Sequence, residues 1–475
     1  MEGDTNRLLP AVARLLLSHV REIRHPRLPS PRLLLCVGIS PHPDRIHPRS
    51  GGDGRQDHAR RHRHRHRRPR CAAHDLGPAA SALRHVVRHG IQQGAPIAGP
   101  RRIAIVTSSY PATGSDYAGA FVPGFASALS RRGCHVTVLT PDKAGPKDNC
   151  DDYQVRWFRW AGGSKPLVDF SLRSPNDLRL IASLLRSGER ALRALIKEER
   201  IEAILALWAL PAGYLAWRAC PPRSYSVWAL GSDIHTWARR PIVGSLVRRV
   251  LRDAHHRFAD GIELGKEVES ISGRDCAFMP TTRKLPTAAP LPHPLKKGIN
   301  FLFVGRLEAV KGADVIVDAM LEVLESGADA SLVMCGAGSM QAALEARVNA
   351  AGKGDRIALL SSQPAAVIAA YMARCDCLVV PSRNESIPIV FSEALQAALP
   401  MLVTDVGDMG ELARRHGLAA PIPPADAGAL AAAMQRFIAD RDAQVSAYRK
   451  ARTELLQIFD VDATADLYLA AIESK

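Results

Sequence analysis

The sequence predicts an α/β protein of two Rossmann-like domains, and three observations predict it. A strand at 102–107 is followed by a loop, a helix at about 121–132 that ends at Gly133, and a strand at 135–139, which makes a βαβ opening. A second such step lies in the last third: the apolar strand 377–380, a polar turn, a helix to about Ala398 and a strand at 401–404. Between them a Pro-rich stretch at 286–298 reads as a linker. The 475 residues are enough for two or three sizeable cores. We therefore place one domain at 101–285, a second at 299–460 and a closing helix at 461–475.

The first hundred residues stand apart. They hold 18 Arg, no Lys and 7 Asp or Glu, which accounts for +11 of the net +16, and 11 of the 17 His. The tract RRHRHRHRRPR fills 60–70. Apart from a short stretch at 8–20, apolar periodicity is absent, so little buried surface could offset the entropy of ordering, and disorder is expected. A His/Arg tract could bind metal or nucleic acid. The preferred expectation is an upstream-extended reading frame without a role of its own, the true start lying near Val86 or Val87. Nucleic acid is therefore not expected as a partner.

The remaining 375 residues carry 45 Lys or Arg against 40 Asp or Glu, a mild +5 that suits an anionic substrate or an anionic membrane surface. Residues 8–20 are short and lack a small-residue cleavage site, so no signal peptide is expected. No apolar run reaches the ~18 residues of a membrane span. Nine Cys without a C-x-x-C pair argue against zinc and for a reducing compartment, and Cys375 and Cys377 read as core thiols. A cytoplasmic location follows, with peripheral contact at the inner membrane face left open.

In the first domain, a strand at 225–230 runs into Gly231-Ser232-Asp233-Ile234-His235. Asp233 then stands at a strand's carboxyl end, where such sheets bind ligands, although an Asx-turn or helix cap is its plainer use. The Arg-bearing helix 241–254 reads as a solvated face.

In the second domain, a strand at 300–304 runs into GRLEAVKG at 305–312. Arg306 and Lys311 lie five apart across a turn that precedes a helix; two cations and a helix N-terminus suit a diphosphate, the alternative being two solvated loop residues. A strand at 330–335 leads to Gly336-Ala337-Gly338, which is weak alone. Glu385 and Glu393 form E-x7-E around the start of the 386–398 helix, for which Ser386 is the expected N-cap and Pro388 a first-turn residue. Carboxylates in this place accept hydrogen bonds from hydroxyls, as on a ribose or a sugar ring. Alone, the pair is equally a solvated turn and a helix charge.

Taken together, Glu385, Ser386, Pro388, Glu393-Ala394, Leu399-Pro400, Thr404-Asp405-Val406-Gly407 and Glu411, with GRLEAVKG, resemble the retaining glycosyltransferases of family 4 over roughly 101–475. Ala398 stands where that family usually has Gly. The resemblance implies the GT-B fold, two Rossmann-like domains facing a cleft with the last helix crossing back to the first. It implies a nucleotide diphosphate sugar donor held by Gly119, Gly305, Arg306, Lys311, Gly336, Gly338, Glu385, Ser386, Ile387, Pro388 and Glu393. Arg306 and Lys311 would bind the donor phosphates, Glu393 the ribose, and Glu385 the sugar or its phosphate contact. Arg306, Lys311, Glu385 and Asp233 are the candidate catalytic residues.

Residues 201–217 are similar to that family's D-h-h-H-x-H-W-x-x-P-x-G segment, here an expected acceptor-side wall with Leu205 and Leu207 at the His positions. By the same resemblance, Ser361 stands where that family has a Gly next to the nucleotide base. The implied activity is retaining transfer to a saccharide or lipid-linked acceptor, in cell-envelope or exopolysaccharide biosynthesis. No cofactor and no metal is expected, because two cations can neutralise a departing diphosphate. The absent His residues keep open a degenerate, non-catalytic nucleotide-sugar-binding protein, and an epimerase on the same fold is the remaining alternative.

Overall fold

The computed structural model describes residues 101–113, 118–148, 150–163, 170–171, 174–418 and 420–473, all within one compact unit. The expectations for residues 1–100, and for 114–117 of the first loop, lie outside the described residues.

The first half contains β1 (Arg102–Val106), α1 (Val122–Arg131), β2 (His135–Pro141), β3 (Gln154–Phe158), α2 (Pro175–Glu199), β4 (Ala203–Leu207), α3 (Tyr214–Ala219), β5 (Ser226–Ala229), α4 (Pro241–Asp253), β6 (Arg257–Ala259), α5 (Ile262–Ser272) and β7 (Ala277–Phe278). Its seven parallel strands run in the order β3-β2-β1-β4-β5-β6-β7. Ile103 pairs with Val136 on one side and Ala203 on the other. The continuous apolar run of β1 follows from helices covering both faces, so that neither face can be polar.

The second half contains β8 (Ile299–Val304), α6 (Ala313–Glu325), β9 (Ala330–Cys335), α7 (Gln341–Ala350), β10 (Ile357–Leu360), α8 (Ala365–Met372), β11 (Cys377–Val380), α9 (Ile389–Ala397), β12 (Met401–Val403), α10 (Gly407–Arg415), α11 (Ala427–Ala439), α12 (Arg441–Ile458) and α13 (Val461–Glu473). Its parallel strands run β10-β9-β8-β11-β12. In both sheets the order reverses beside the first strand, between β1 and β4 and between β8 and β11. Such switch points open a crevice at the strands' carboxyl ends.

The closing helix packs on the first half. Val461, Ala465, Tyr468 and Leu469 are buried with Phe125 and Phe258. Arg132 donates to Asp462 at 2.9 Å and grips Asp466, and Lys284 reaches Asp462 at 2.7 Å. The Pro-rich connection is bound rather than loose: Ala289 N donates to the Ala366 carbonyl at 2.9 Å, and just before it Leu285 N donates to Gln396 Oε1 at 3.0 Å. Cys375 and Cys377 are buried free thiols. Among the described residues no helix is long and apolar enough to cross a membrane.

One local expectation is corrected. Ser386 does not cap α9; the cap position is Pro388, with φ −73° and ψ 150° and no side-chain cap. The helical region is disfavoured for the residue before a proline, so a helix does not run through Ile387 and α9 starts after Pro388. At its other end Ala398 adopts the left-handed conformation, φ 54° and ψ 31°. A Cβ is unfavourable there and glycine is not. Ala398→Gly should therefore raise stability by about 1 kcal/mol, read from the urea midpoint.

His256 adds a pH dependence. Burial, with His255 and Arg257 beside it, pushes its imidazole down to about 4, and Nε2 has no hydrogen-bond partner among the described residues. The unfolded chain takes up this proton near pH 6.5 and the folded chain does not. Its contribution is therefore full above pH 6.5 and is lost as pH falls from 6.5 towards 4. His256→Gln should flatten the urea midpoint against pH in that window.

Candidate active site

A cavity of about 350 Å³ lies between the carboxyl ends of the two sheets. The first half lines it with Gly119, Phe121, Trp208, Leu230, Asp260 and Thr281. From the second half come Gly305, Arg306, Lys311, Glu385, and Ile387 to Val390 at the start of α9. The unpaired N–H groups of a helix's first turn thus border the cavity on its second-half side.

The β8–α6 loop is held by backbone pairing. Gly305 N donates to the Cys335 carbonyl at 3.1 Å, Leu307 N to that of Ala337 at 3.0 Å, and Met340 N to that of Leu307 at 3.0 Å. The sequence expected Gly336 and Gly338 to face the donor. Neither is on the cavity wall; a Cβ at either would collide with the carbonyl oxygen of Gly305 or Leu307, so these glycines let two loops touch. Gly119 does border the cavity, at φ +76°, where a Cβ would strike the Ser109 carbonyl.

Arg306 is exposed to the cavity and has no carboxylate partner among the described residues. Lys311 is ion-paired through Nζ with Glu385 Oε2. Arg383 arranges this meeting: its guanidinium grips Asp314 in two bonds of 2.7 Å, and its N–H reaches the Val310 carbonyl at 2.9 Å. The 381–385 turn is thereby laid over the 309–314 turn. The pairing of Arg383 had no local signal in the sequence.

The other predicted residues take different places. Glu393 is fully buried in α9, behind the cavity wall, and pairs through Oε1 with Arg283 of the connecting segment. Its Oε2 has no partner among the described residues. Ser386 is also off the wall, with its hydroxyl buried against Gly261. Ile387 and Pro388 are on it.

Asp233 is a correction. It is fully buried and does not line the cavity. Its carboxylate accepts from Ala209 N at 2.6 Å and Leu230 N at 3.3 Å, which ties together the loops after β4 and β5. Burial pushes its carboxyl up, and these backbone donors oppose the shift. Asp233 is thus a positioning residue that holds Trp208 and Leu230 in the wall. Trp208 carries φ +69°, a backbone strain typical of functional loops. Leu205 and Leu207 point the other way, into the sheet's core. Asp260, Phe121 and Arg283 were missed by sequence reasoning; only Asp260, between a strand and a glycine, carried a local hint.

Two family models match this chain. The Glycosyl transferase 4-like domain covers residues 118–267, and Glycosyl transferases group 1 covers 291–454. The chain belongs to the family 4 glycosyltransferases. As a glycosyltransferase it is 25% identical over 402 residues to a glycogen synthase of Mycobacterium tuberculosis, spanning 78% of this chain and 95% of that one. It is 26% identical over 268 residues to a phosphatidyl-myo-inositol mannosyltransferase of Mycobacterium leprae, spanning 53% and 70%. Sucrose-phosphate synthase from Thermosynechococcus elongatus superposes with a TM-score of 0.65 at 18% identity, over 79% of this chain and all of that one. Anabaena HepE in complex with UDP-glucose superposes at 0.56 and 15% identity, over 78% and 99%. The glycosyltransferase fold is therefore GT-B, two Rossmann-like halves with the cavity between them.

Proposed function

We propose that this glycosyltransferase takes a sugar from a nucleotide diphosphate sugar and transfers it, with retention at the anomeric centre, to a saccharide or lipid-linked acceptor. The observation that carries this reading is the convergence of Arg306, Lys311 and the first turn of α9 on one cavity. Arg306 enters it without a carboxylate partner, so a cationic site stands open to an anion. These groups stabilise negative charge as it grows on the departing diphosphate, where such stabilisation lowers a barrier. With the cavity's own cations in this role, the chemistry requires no metal. Glu385 would meet the sugar, and Glu393, moved off Arg283, the ribose. Envelope or exopolysaccharide synthesis in the cytoplasm, at an anionic membrane face, fits the mannosyltransferase likeness and the exposed Arg residues of α4.

The test is thermal denaturation with UDP-, GDP- and ADP-sugars. One nucleotide class should raise the melting temperature by several degrees at about 100 times its Kd, and the shift should vanish in Arg306→Ala. No shift with any donor would overturn the reading. NMR of the product linkage tests retention, and an inverted centre would remove that part. The burial of Leu205 and Leu207 in the core favours one rival, a non-catalytic nucleotide-sugar-binding protein. Donor binding without turnover on any acceptor would establish it.

A further inference from the structure

Asp260 is the only ionisable side chain that the described part of the first half contributes to the cavity wall. It follows the last residue of β6, and its N–H donates to the Ala229 carbonyl at 3.2 Å, which fixes its backbone at the sheet's carboxyl edge. The residue is 9% exposed, and its Oδ1 has no hydrogen-bond partner among the described residues. The N-cap position of α5 is Gly261, which has no side chain to cap the helix. Here that task is taken by Asp408 of the other half, whose carboxylate accepts from Glu263 N at 3.1 and 3.3 Å. Gly261 makes the approach possible, since a Cβ there would collide with the Ser386 hydroxyl and Asp408. Asp260, one residue before that cap, takes no part in capping and lines the cavity, opposite the Lys311–Glu385 pair.

A buried carboxyl oxygen without a partner costs free energy, and a site that binds a hydroxyl restores the missing bond. We propose that Asp260 is a substrate-binding residue of the transfer site, its Oδ1 holding a hydroxyl of the donor sugar or of the acceptor. The proposal rests on the nucleotide-sugar reading above. Its chemistry suits the place. Burial, with Asp233, Glu385 and Asp408 nearby, pushes the carboxyl well above the usual carboxylate range. A neutral carboxyl both donates and accepts, as a sugar hydroxyl does. Leu205 and Leu207 leave β4 with no polar group at this wall, and Asp260 supplies one two strands away.

The experiment compares Asp260→Leu and Asp260→Asn with wild type, measuring melting temperature, the Kd of the nucleoside diphosphate and of its sugar conjugate, and acceptor KM. Both variants should keep or raise the melting temperature and keep the nucleoside diphosphate Kd, because a strained carboxyl is lost and the phosphate site is untouched. If the hydroxyl is the donor's, Asp260→Leu should weaken the sugar conjugate about 10-fold, with Asp260→Asn less affected. If it is the acceptor's, donor affinity stays and acceptor KM rises by a similar factor. Conjugate Kd and acceptor KM both within twofold of wild type in Asp260→Leu would overturn the assignment while leaving the transferase reading standing. A wild type that binds no nucleoside diphosphate would overturn both.

Discussion

Lys311→Ala should lower kcat/KM for the sugar donor by about 10²- to 10³-fold, the usual loss for one preorganised group at a charge that develops in the transition state. Two effects add. The cavity loses one of the two cations on its wall, and Glu385 is left without its ion-pair partner beside an incoming diphosphate. The second effect gives a further check. Adding Glu385→Gln to Lys311→Ala should recover nucleoside diphosphate affinity relative to Lys311→Ala alone, because the unpaired negative charge is gone. Lys311→Arg keeps the charge but replaces a compact ammonium by a planar fork, so an intermediate loss is expected. Acceptor KM should move little. Steady-state kinetics decide the matter: a change in kcat/KM below threefold would remove Lys311 from the mechanism.

Asp233→Ala should be the most destabilising single change at the site, by about 3–5 kcal/mol. Its carboxylate accepts from the buried N–H groups of Ala209 and Leu230. Each donor left unsatisfied in a dry interior costs about 1–3 kcal/mol, and the emptied volume adds to it. Asp233→Asn keeps one acceptor oxygen and should cost roughly half as much. The effect reaches the cavity through Trp208 and Leu230, which sit on the loops that Asp233 ties together. Urea denaturation measures the first effect. A loss below 1 kcal/mol for Asp233→Ala would show that the loops hold themselves. Asp233→Asn, if it folds, should reduce activity without changing nucleoside diphosphate affinity, since no second-half phosphate contact is disturbed.

The amino-acid sequence by itself determined the two sheets and the sites where their loops bind. The apolar runs at 103–106 and 301–304 need cover on both faces, which a parallel sheet between helices provides. The loop GRLEAVKG follows such a strand directly, which puts its cations at the sheet's carboxyl edge. The start of α9 also follows a local rule that the Ser386 expectation overlooked, since a residue before a proline is disfavoured in the helical region. What the spacing of Glu385 and Glu393 left undecided was which cation each carboxylate meets. The tertiary structure decided that by bringing Arg283 to Glu393 across 110 positions and Lys311 to Glu385 across 74. It also buried Asp233, set Asp408 over the start of α5 from 145 positions away, and put Asp260 on the cavity wall. The physical reason is range. Backbone pattern is a property of neighbouring residues, whereas desolvation and ion pairing depend on which distant groups the packed core brings together.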